Sequence, residues 1–335
     1  MSTEFKHAAK EQIAVIGAGY WGVNHVRNFH ELGVLSMVCD TSKSSLEKIV
    51  EKFPGVRVES DIASAIVAPG VRGVVIATPA ETHYSLARAA IEAGKDVLVE
   101  KPLTLDVGEG KHLVNMAAER GAILMVGHLL EYHPAVLRLR QLIESGKIGE
   151  LRYIYSNRLN LGKVRREENI LWSFAPHDIA IILRLIGGWP NRVAVTGGMY
   201  LQPSVADVTV TSIEFPTGVR AHIFVSWLHP YKEQRLVVVG SKRMAVFDDV
   251  RTEGKLMVYD QGVEFVDGAP VTRKSEGVAE VLDIAEPLRL QCLQFLESIE
   301  TRRNPLTDGE SGLRVLRVLD AAERSLAAGG TPIEL

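Results

Sequence analysis

A chain of 335 residues, with 46% hydrophobic and 24% charged residues, has the composition of a soluble globular protein and the length for two domains with large cores. Its formal net charge of −3 argues against a polyanion-binding surface, and no apolar run approaches the ~18 residues of a membrane span. The polar stretch from Met1 to Lys10 lacks the apolar core of a signal peptide, so a cytoplasmic address is expected. Cys39 and Cys292 lie far apart in apolar surroundings and read as buried thiols of a reducing compartment, the alternative being a disulfide or a reactive thiol.

The first element organises the rest. Residues 12–16 form an apolar run of strand length that breaks into Gly17-Ala18-Gly19-Tyr20-Trp21-Gly22 and then into a helical pattern over 20–32. That spacing suits the pyrophosphate of a dinucleotide. Gly17 permits the tight turn, Gly19 lets the backbone approach the phosphates, and Gly22 lets the helix pack close to the sheet. The helix N-terminus adds N–H groups and partial positive charge. A second strand over 34–39 ends at Asp40, 18 residues beyond Gly22, where a carboxylate accepts from the adenosine ribose hydroxyls. Such a carboxylate repels a 2′-phosphate and favours NAD over NADP, although Ser42 and Lys43 follow closely. The alternative is a tight turn in which Asp40 caps the next helix.

From there to about residue 126 short apolar runs at 72–77, 96–99 and 122–126 alternate with helical windows at 42–52, 60–67, 82–93 and 106–119, several opened by a capping Ser, Thr or Asp. This predicts an α/β fold, an N-terminal Rossmann domain with a doubly wound parallel sheet over 1–128. Ligands of such sheets sit outside the carboxyl ends of the strands, so Tyr20, Trp21, Asp40, Thr78, Pro79, Glu100, Lys101 and His128 are candidates for the cofactor side. After a helix over 134–145 the pattern changes. Strands are predicted at 151–160, 193–198, 208–215, 219–227, 234–240 and 244–248, with helices at 175–186, 287–302 and 309–327. Residues 129–335 therefore read as an α+β domain with a large, mostly antiparallel sheet, its last helices able to pack back on the first domain. Runs such as Ile223 to Trp227 are apolar at consecutive positions, which predicts helices on one face and either a second subunit or further burial on the other; a homo-oligomer, dimer or tetramer, is expected.

Two further stretches carry chemistry. Pro102 ends the strand before it and turns Lys101 toward the ligand edge, where a lysine can hold a substrate hydroxyl; an exposed loop lysine is the alternative. Pro176 is suited to the first turn of a helix, which would put His177 and Asp178 at a helix N-terminus and keep the imidazole neutral as a general base. The loop 160–169 carries Lys163, Arg165 and Arg166, cations able to grip a diphosphate or to pair with Glu167 and Glu168 in solvent. His128, Tyr132 and Asn157 are further cleft candidates, whereas His25, His30, His112, His222 and His229 read as structural or exposed. No metal-ligand spacing occurs, so no metal is expected.

Taken together, Gly17-x-Gly19-x-x-Gly22, Ala77-Thr78-Pro79 with His83, Glu100-Lys101-Pro102, Gly127-His128, the run from Leu171 to His177-Asp178, and Asn304-Pro-Leu-Thr-Asp-Gly309 resemble the Gfo/Idh/MocA family over nearly the whole chain. The resemblance implies an NAD(P)-dependent oxidoreductase acting on a sugar or polyol hydroxyl, with Lys101 and His177 in the active site, His83 on the cofactor side, and Trp172, Ser173 and Asp178 near the substrate. Residues 160–178 also resemble those of UDP-N-acetylglucosamine 3-dehydrogenases and related UDP-sugar 3-dehydrogenases, which implies a nucleotide-sugar substrate. The alternatives are an inositol-type polyol or aldose dehydrogenase and a non-catalytic NAD-responsive binding protein. Two positions depart from the family pattern: Ser173 stands where many members have an aspartate, and His133 precedes the proline that often follows an asparagine.

Overall fold

The computed structural model describes residues 12–162, 164–166, 168–260 and 262–335. The chain separates into two compact units, the first running to Leu129 and including Glu286–Leu316, the second comprising Leu130–Ala285 and Arg317–Leu335.

The first unit is built on six parallel strands: β1 (Ile13–Ile16), β2 (Leu35–Cys39), β3 (Val58–Glu59), β4 (Gly73–Ile76), β5 (Asp96–Val99) and β6 (Leu124–Val126), in the spatial order β3-β2-β1-β4-β5-β6. Every residue of β1, β4, β5 and β6 is buried, which is why these strands read as unbroken apolar runs rather than alternating ones. Helices α1 (Gly22–Glu31), α2 (Lys43–Lys52), α3 (Ile62–Val67), α4 (His83–Glu92) and α5 (Val107–Arg120) connect them. Ser42, Asp61 and Asp106 cap α2, α3 and α5 by accepting from Ser45, Ser64 and Glu109 backbone N–H groups, each worth about 0.5–2 kcal/mol. The strand order reverses between β1 and β4, and the crevice at their carboxyl ends is where ligands of such sheets bind.

Two distant stretches complete this unit. Helix α8 (Pro287–Thr301) is anchored by Glu286 to Arg27 and Asn28 of α1, and Arg302 clamps the Asp96 carboxylate with both terminal nitrogens, at 2.7 and 2.9 Å. Thr307 donates to Val126 O and accepts from Val126 N, closing the β6 edge.

In the second unit α6 (Pro134–Glu144) precedes β7 (Leu151–Leu159), and α7 (Ile170–Ile186) precedes β8 (Arg192–Gly198), β9 (Val208–Glu214), β10 (Arg220–Ser226), β11 (Glu233–Gly240), β12 (Met244–Asp248) and β13 (Leu256–Tyr259). A separate hairpin follows, β14 (Gly262–Val266) with β15 (Ala269–Arg273), then β16 (Val278–Ala279), α9 (Gly309–Ala327), which begins in the first unit, and β17 (Ile333–Glu334). The nine-stranded sheet runs β16-β13-β12-β11-β7-β10-β9-β8-β17, and β7 with β10 is its one parallel pairing. Alternate residues face opposite sides. Ile154, Ser156 and Arg158 of β7, with Ile223 and Val225 of β10, are buried on the side covered by α7. Tyr153 and Val210 stand on the other side, at 42% and 44% exposure.

The expected strands are present, and β3, β13 to β17 are additional: they are short, edge-lying or polar, and carry little periodicity. One boundary differs in a way that matters. Helix α7 begins at Ile170, capped by the Asn169 side chain accepting from Trp172 N at 3.2 Å, so Pro176 lies inside the helix rather than in its first turn. Among the described residues no helix is long and apolar enough to cross a membrane.

Candidate active site

In the first unit, Gly17 adopts φ +95°, and a Cβ there would lie 2.6 Å from the Ala77 carbonyl oxygen, so β1 can end against β4 only with glycine. A Cβ on Gly22 would collide with the Gly17 carbonyl, whereas one on Gly19 would meet nothing within 4 Å. The turn is thus closed on its inner side and open at Gly19, where the neighbouring Tyr20 is 95% exposed. That open backbone at the start of α1 fits the close approach of a pyrophosphate. Asp40 accepts from Ala18 N at 2.6 Å and from Ser42 N at 2.7 Å, so its carboxylate is pinned beside the glycine turn while Ser42, not Asp40, caps α2. These residues fit a dinucleotide: Gly19 and the α1 N-terminus for the phosphates, Asp40 for the adenosine ribose.

After β4, Thr78 and Thr82 share a 2.7 Å hydroxyl contact, and Pro79 is exposed. His83 is buried with Nδ1 2.7 Å from Pro102 O and Nε2 3.0 Å from Thr78 O. Its ring therefore braces the loop after β4 against the loop after β5. Both ring nitrogens, expected on the cofactor side, lie against backbone carbonyl groups inside the protein.

Glu100 follows directly on β5 and is held on several sides. Its Oε1 accepts from Trp21 Nε1 at 2.6 Å and lies 2.7 Å from His25 Nε2, and its Oε2 accepts from Lys101 N at 3.3 Å. A Cβ on Gly127 would come within 2.8 Å of Oε2, so that glycine makes room for the carboxylate. Burial pushes the Glu100 pKa up, but His25, Trp21 and Lys101 together outweigh it and hold the carboxyl below its ordinary value. His25 is fully buried, and its role escaped the sequence reading because nothing local links it to a carboxylate 75 residues away. Lys101 is half-buried, the Lys101–Pro102 peptide is cis, and His128 is buried just past β6. Cys39 and Cys292 are buried and unlinked; burial, reinforced by Glu59 and Asp40, pushes the Cys39 thiol up to about 11, which leaves it a poor nucleophile.

In the second unit, His177 is the eighth residue of α7 and half-buried. His177 thus does not lie at the helix N-terminus, which corrects the sequence expectation; Asn169 caps the helix just over two turns earlier. Ser173 is buried one turn before His177 on the same helix face. Asp178 is 1% exposed and fully engaged: Arg158 donates from Nε at 2.7 Å and Nη2 at 3.1 Å, and Ser156 Oγ donates at 2.5 Å. It ties α7 to β7. Trp172 donates from Nε1 to Glu323 at 3.0 Å, and the Asn169 side chain donates to the same oxygen at 2.9 Å.

Asn157 lies on the sheet face opposite Ser156 and Arg158, where it donates to Glu233 at 3.0 Å. The alternation of β7 thus turns it away from the side that α7 covers. Lys163 lies outside the described residues; Arg165 and Arg166 are exposed, with Arg165 Nε 3.1 Å from Glu168. Tyr132 is buried. His133 explains one departure from the family pattern: its Nδ1 accepts from Ala135 N at 3.0 Å and caps α6, which puts the ring proton on Nε2, 3.4 Å from Asp249. That contact and Lys255 at 2.8 Å hold the Asp249 carboxyl well below the usual range against the opposing effect of burial. Among the described residues no cluster of three or more His, Cys, Asp or Glu side chains is arranged to hold a metal ion.

Residues 12–128 match the oxidoreductase family with an NAD-binding Rossmann fold, and residues 136–246 match the GFO/IDH/MocA C-terminal domain. The chain is similar to UDP-N-acetylglucosamine 3-dehydrogenase of Acidithiobacillus ferrooxidans, with 30% identity over 90% of this chain and 93% of that protein. A solved structure of that enzyme aligns with a TM-score of 0.84 and 28% identity, covering 95% of this chain and 98% of its own. It is also similar to scyllo-inositol 2-dehydrogenase (NAD(+)) of Bacillus subtilis, at 26% identity over 96% of this chain and 95% of that protein. With its glycine turn, its Glu100-Lys101-Pro102 strand end and the His177 helix, this chain belongs to the Gfo/Idh/MocA family of oxidoreductases.

Proposed function

We propose that the chain is an NAD-dependent dehydrogenase that oxidises a secondary hydroxyl, the C3 hydroxyl of a UDP-linked N-acetylhexosamine, to the ketone. The observation that carries this reading is the near full-length similarity to a protein named for that activity. In this reading Lys101 and His177 are the catalytic residues. The imidazole takes the hydroxyl proton, a task suited to histidine at neutral pH, and the Lys101 ammonium holds the oxygen and steadies its developing negative charge. The dinucleotide, when bound, supplies the acceptor for the hydrogen leaving the sugar carbon.

The remaining assignments follow. Gly17, Gly19, Tyr20, Trp21, Gly22 and Asp40 surround the dinucleotide, and the pinned Asp40 carboxylate selects NAD by repelling a 2′-phosphate. Thr78, Pro79, Glu100 and His128 complete that side. Lys163, Arg165 and Arg166 meet the diphosphate, and Trp172 and Ser173 border the sugar. Asp178 acts as a positioning residue through Arg158. The chain works as a homo-oligomer, with the uncovered face of the nine-stranded sheet toward a neighbour.

A second reading, a free polyol dehydrogenase, is favoured by the similarity to the inositol enzyme and by Arg165 already being paired with Glu168. The test is NADH formation from NAD+ with UDP-N-acetylglucosamine, myo-inositol and free glucose in parallel, with the ketone trapped. A signal with the nucleotide sugar alone supports the first reading; a signal only with inositol moves the assignment to the second.

A further inference from the structure

Trp21 belongs to two parts of the first unit at once. Its main chain closes the glycine turn directly before α1, where Val23 N donates to Gly19 O and Asn24 N donates to Trp21 O. Its side chain leaves the turn and donates from Nε1 to Glu100 Oε1 at 2.6 Å, across 79 residues of sequence. His25 follows four residues later on the same helix face and brings Nε2 to the same oxygen, at 2.7 Å. Two side chains of the phosphate turn and its helix thus converge on one carboxylate oxygen.

The other oxygen is fixed as well. Oε2 accepts from Lys101 N at 3.3 Å, and Gly127 leaves it the room that a Cβ, 2.8 Å away, would take. The donors hold this side chain as an anion although only 14% of it is exposed, and the next residue is Lys101. The titratable groups around the carboxylate are His25 of α1, Lys101, and the Cys292 thiol of α8, whose proton burial retains. Lysine is the one of these three that is ordinarily a full cation at neutral pH, so the fixed negative charge acts chiefly on it. That action has a purpose at a half-buried site. Desolvation there pulls the proton off an ammonium, while a group that steadies a developing alkoxide must keep it.

We propose that Trp21 and His25 are positioning residues for Lys101 that act through Glu100, so that a dinucleotide phosphate seated on the glycine turn strengthens the hold of Lys101 on its proton. The coupling is reciprocal: a protonated Lys101 favours the dinucleotide by the same factor. This rests on the dehydrogenase reading above and deepens it by joining the cofactor turn to the residue that meets the sugar hydroxyl.

The probe is ADP, which carries the adenosine and the phosphates and lacks the nicotinamide half that would act on Lys101 directly. Acylation of the full chain with acetic anhydride across a range of pH follows the unprotonated fraction of Lys101, read by peptide mass spectrometry against the exposed Lys147. Saturating ADP should slow Lys101 acylation about fivefold or more in the wild type. Trp21→Phe keeps a ring and removes the donor; its Lys101 should acylate faster without ADP and respond to ADP less than about twofold, with ADP still bound. Glu100→Gln should do the same. His25→Gln, which retains a donor N–H, should keep more of the response than His25→Leu. A clamp that is structural only would lower the melting temperature of these variants and leave the Lys101 response at its wild-type size, which overturns the coupling while the dinucleotide site stands. A wild-type Lys101 indifferent to bound ADP overturns it too. A wild type that binds neither ADP nor NADH overturns the coupling and the dehydrogenase reading together. Should Trp21→Phe fail to fold, Glu100→Gln and the His25 pair decide by the same response.

Discussion

His25 Nε2 lies 2.7 Å from Glu100 Oε1, joining the first turn of α1 to the residue before Lys101. The contact is part-buried and is shared with the Trp21 indole, so the glycine turn and the lysine strand end are held as one piece. His25→Leu removes one donor from a half-buried carboxylate while leaving the other, and the expected cost is about 1–3 kcal/mol of stability. NADH affinity should weaken with it. Urea denaturation and NADH titration check this; unchanged stability would mean the contact is incidental.

The same carboxylate sets an acid limit. The Glu100 and Asp249 pKa values are lowered in the folded protein, so their stabilisation is complete above the unfolded carboxyl value of about 4 and is lost as pH falls through the folded values. Stability should therefore hold down to about pH 5 and decline below about pH 4. His25→Leu and Asp249→Asn should each flatten that decline, measured as unfolding free energy against pH. An acid limb of unchanged slope in both variants would assign it to other groups.

Gly19 and Gly22 separate ligand from fold. Gly19→Ala meets only open space and should melt like the wild type, while NADH affinity falls about tenfold, near 1.4 kcal/mol. Gly22→Ala drives a methyl into the Gly17 carbonyl and should lose about 1–3 kcal/mol of stability whether or not the dinucleotide is present. Melting curves with and without NADH distinguish the two.

Asp178→Asn should behave as a fold variant. It leaves Arg158 buried without its carboxylate, a loss of about 3–5 kcal/mol. Ser173→Ala, one turn before His177, should cost far less.

Lys101→Met and His177→Ala should each lower kcat about 10²–10⁴-fold and leave NADH binding intact. Retained turnover in both would remove them from the chemistry and reopen the non-catalytic reading.

Much of this protein was legible along the chain because its signals are local. The apolar run into Gly17-x-Gly19-x-x-Gly22 set out strand, turn and helix, since each step is dictated by backbone sterics within a few residues. The capping residues and the burial of β1, β4 and β5 follow in the same way from spacing and hydrophobicity. What tertiary structure decided lies in pairings across long sequence distances and in which way alternating residues face. Helix α7 begins at Ile170, capped by Asn169, despite Pro176, because the side-chain cap and burial against β7 and β10 outweigh one missing hydrogen bond. Asn157 falls on the uncovered face because a strand turns alternate residues apart, and His25, read as structural or exposed, meets Glu100 because the fold brings the first turn of α1 to the residue after β5. No window of sequence contains both halves of such a contact, so periodicity and composition determine the elements while only the packed chain determines the partners.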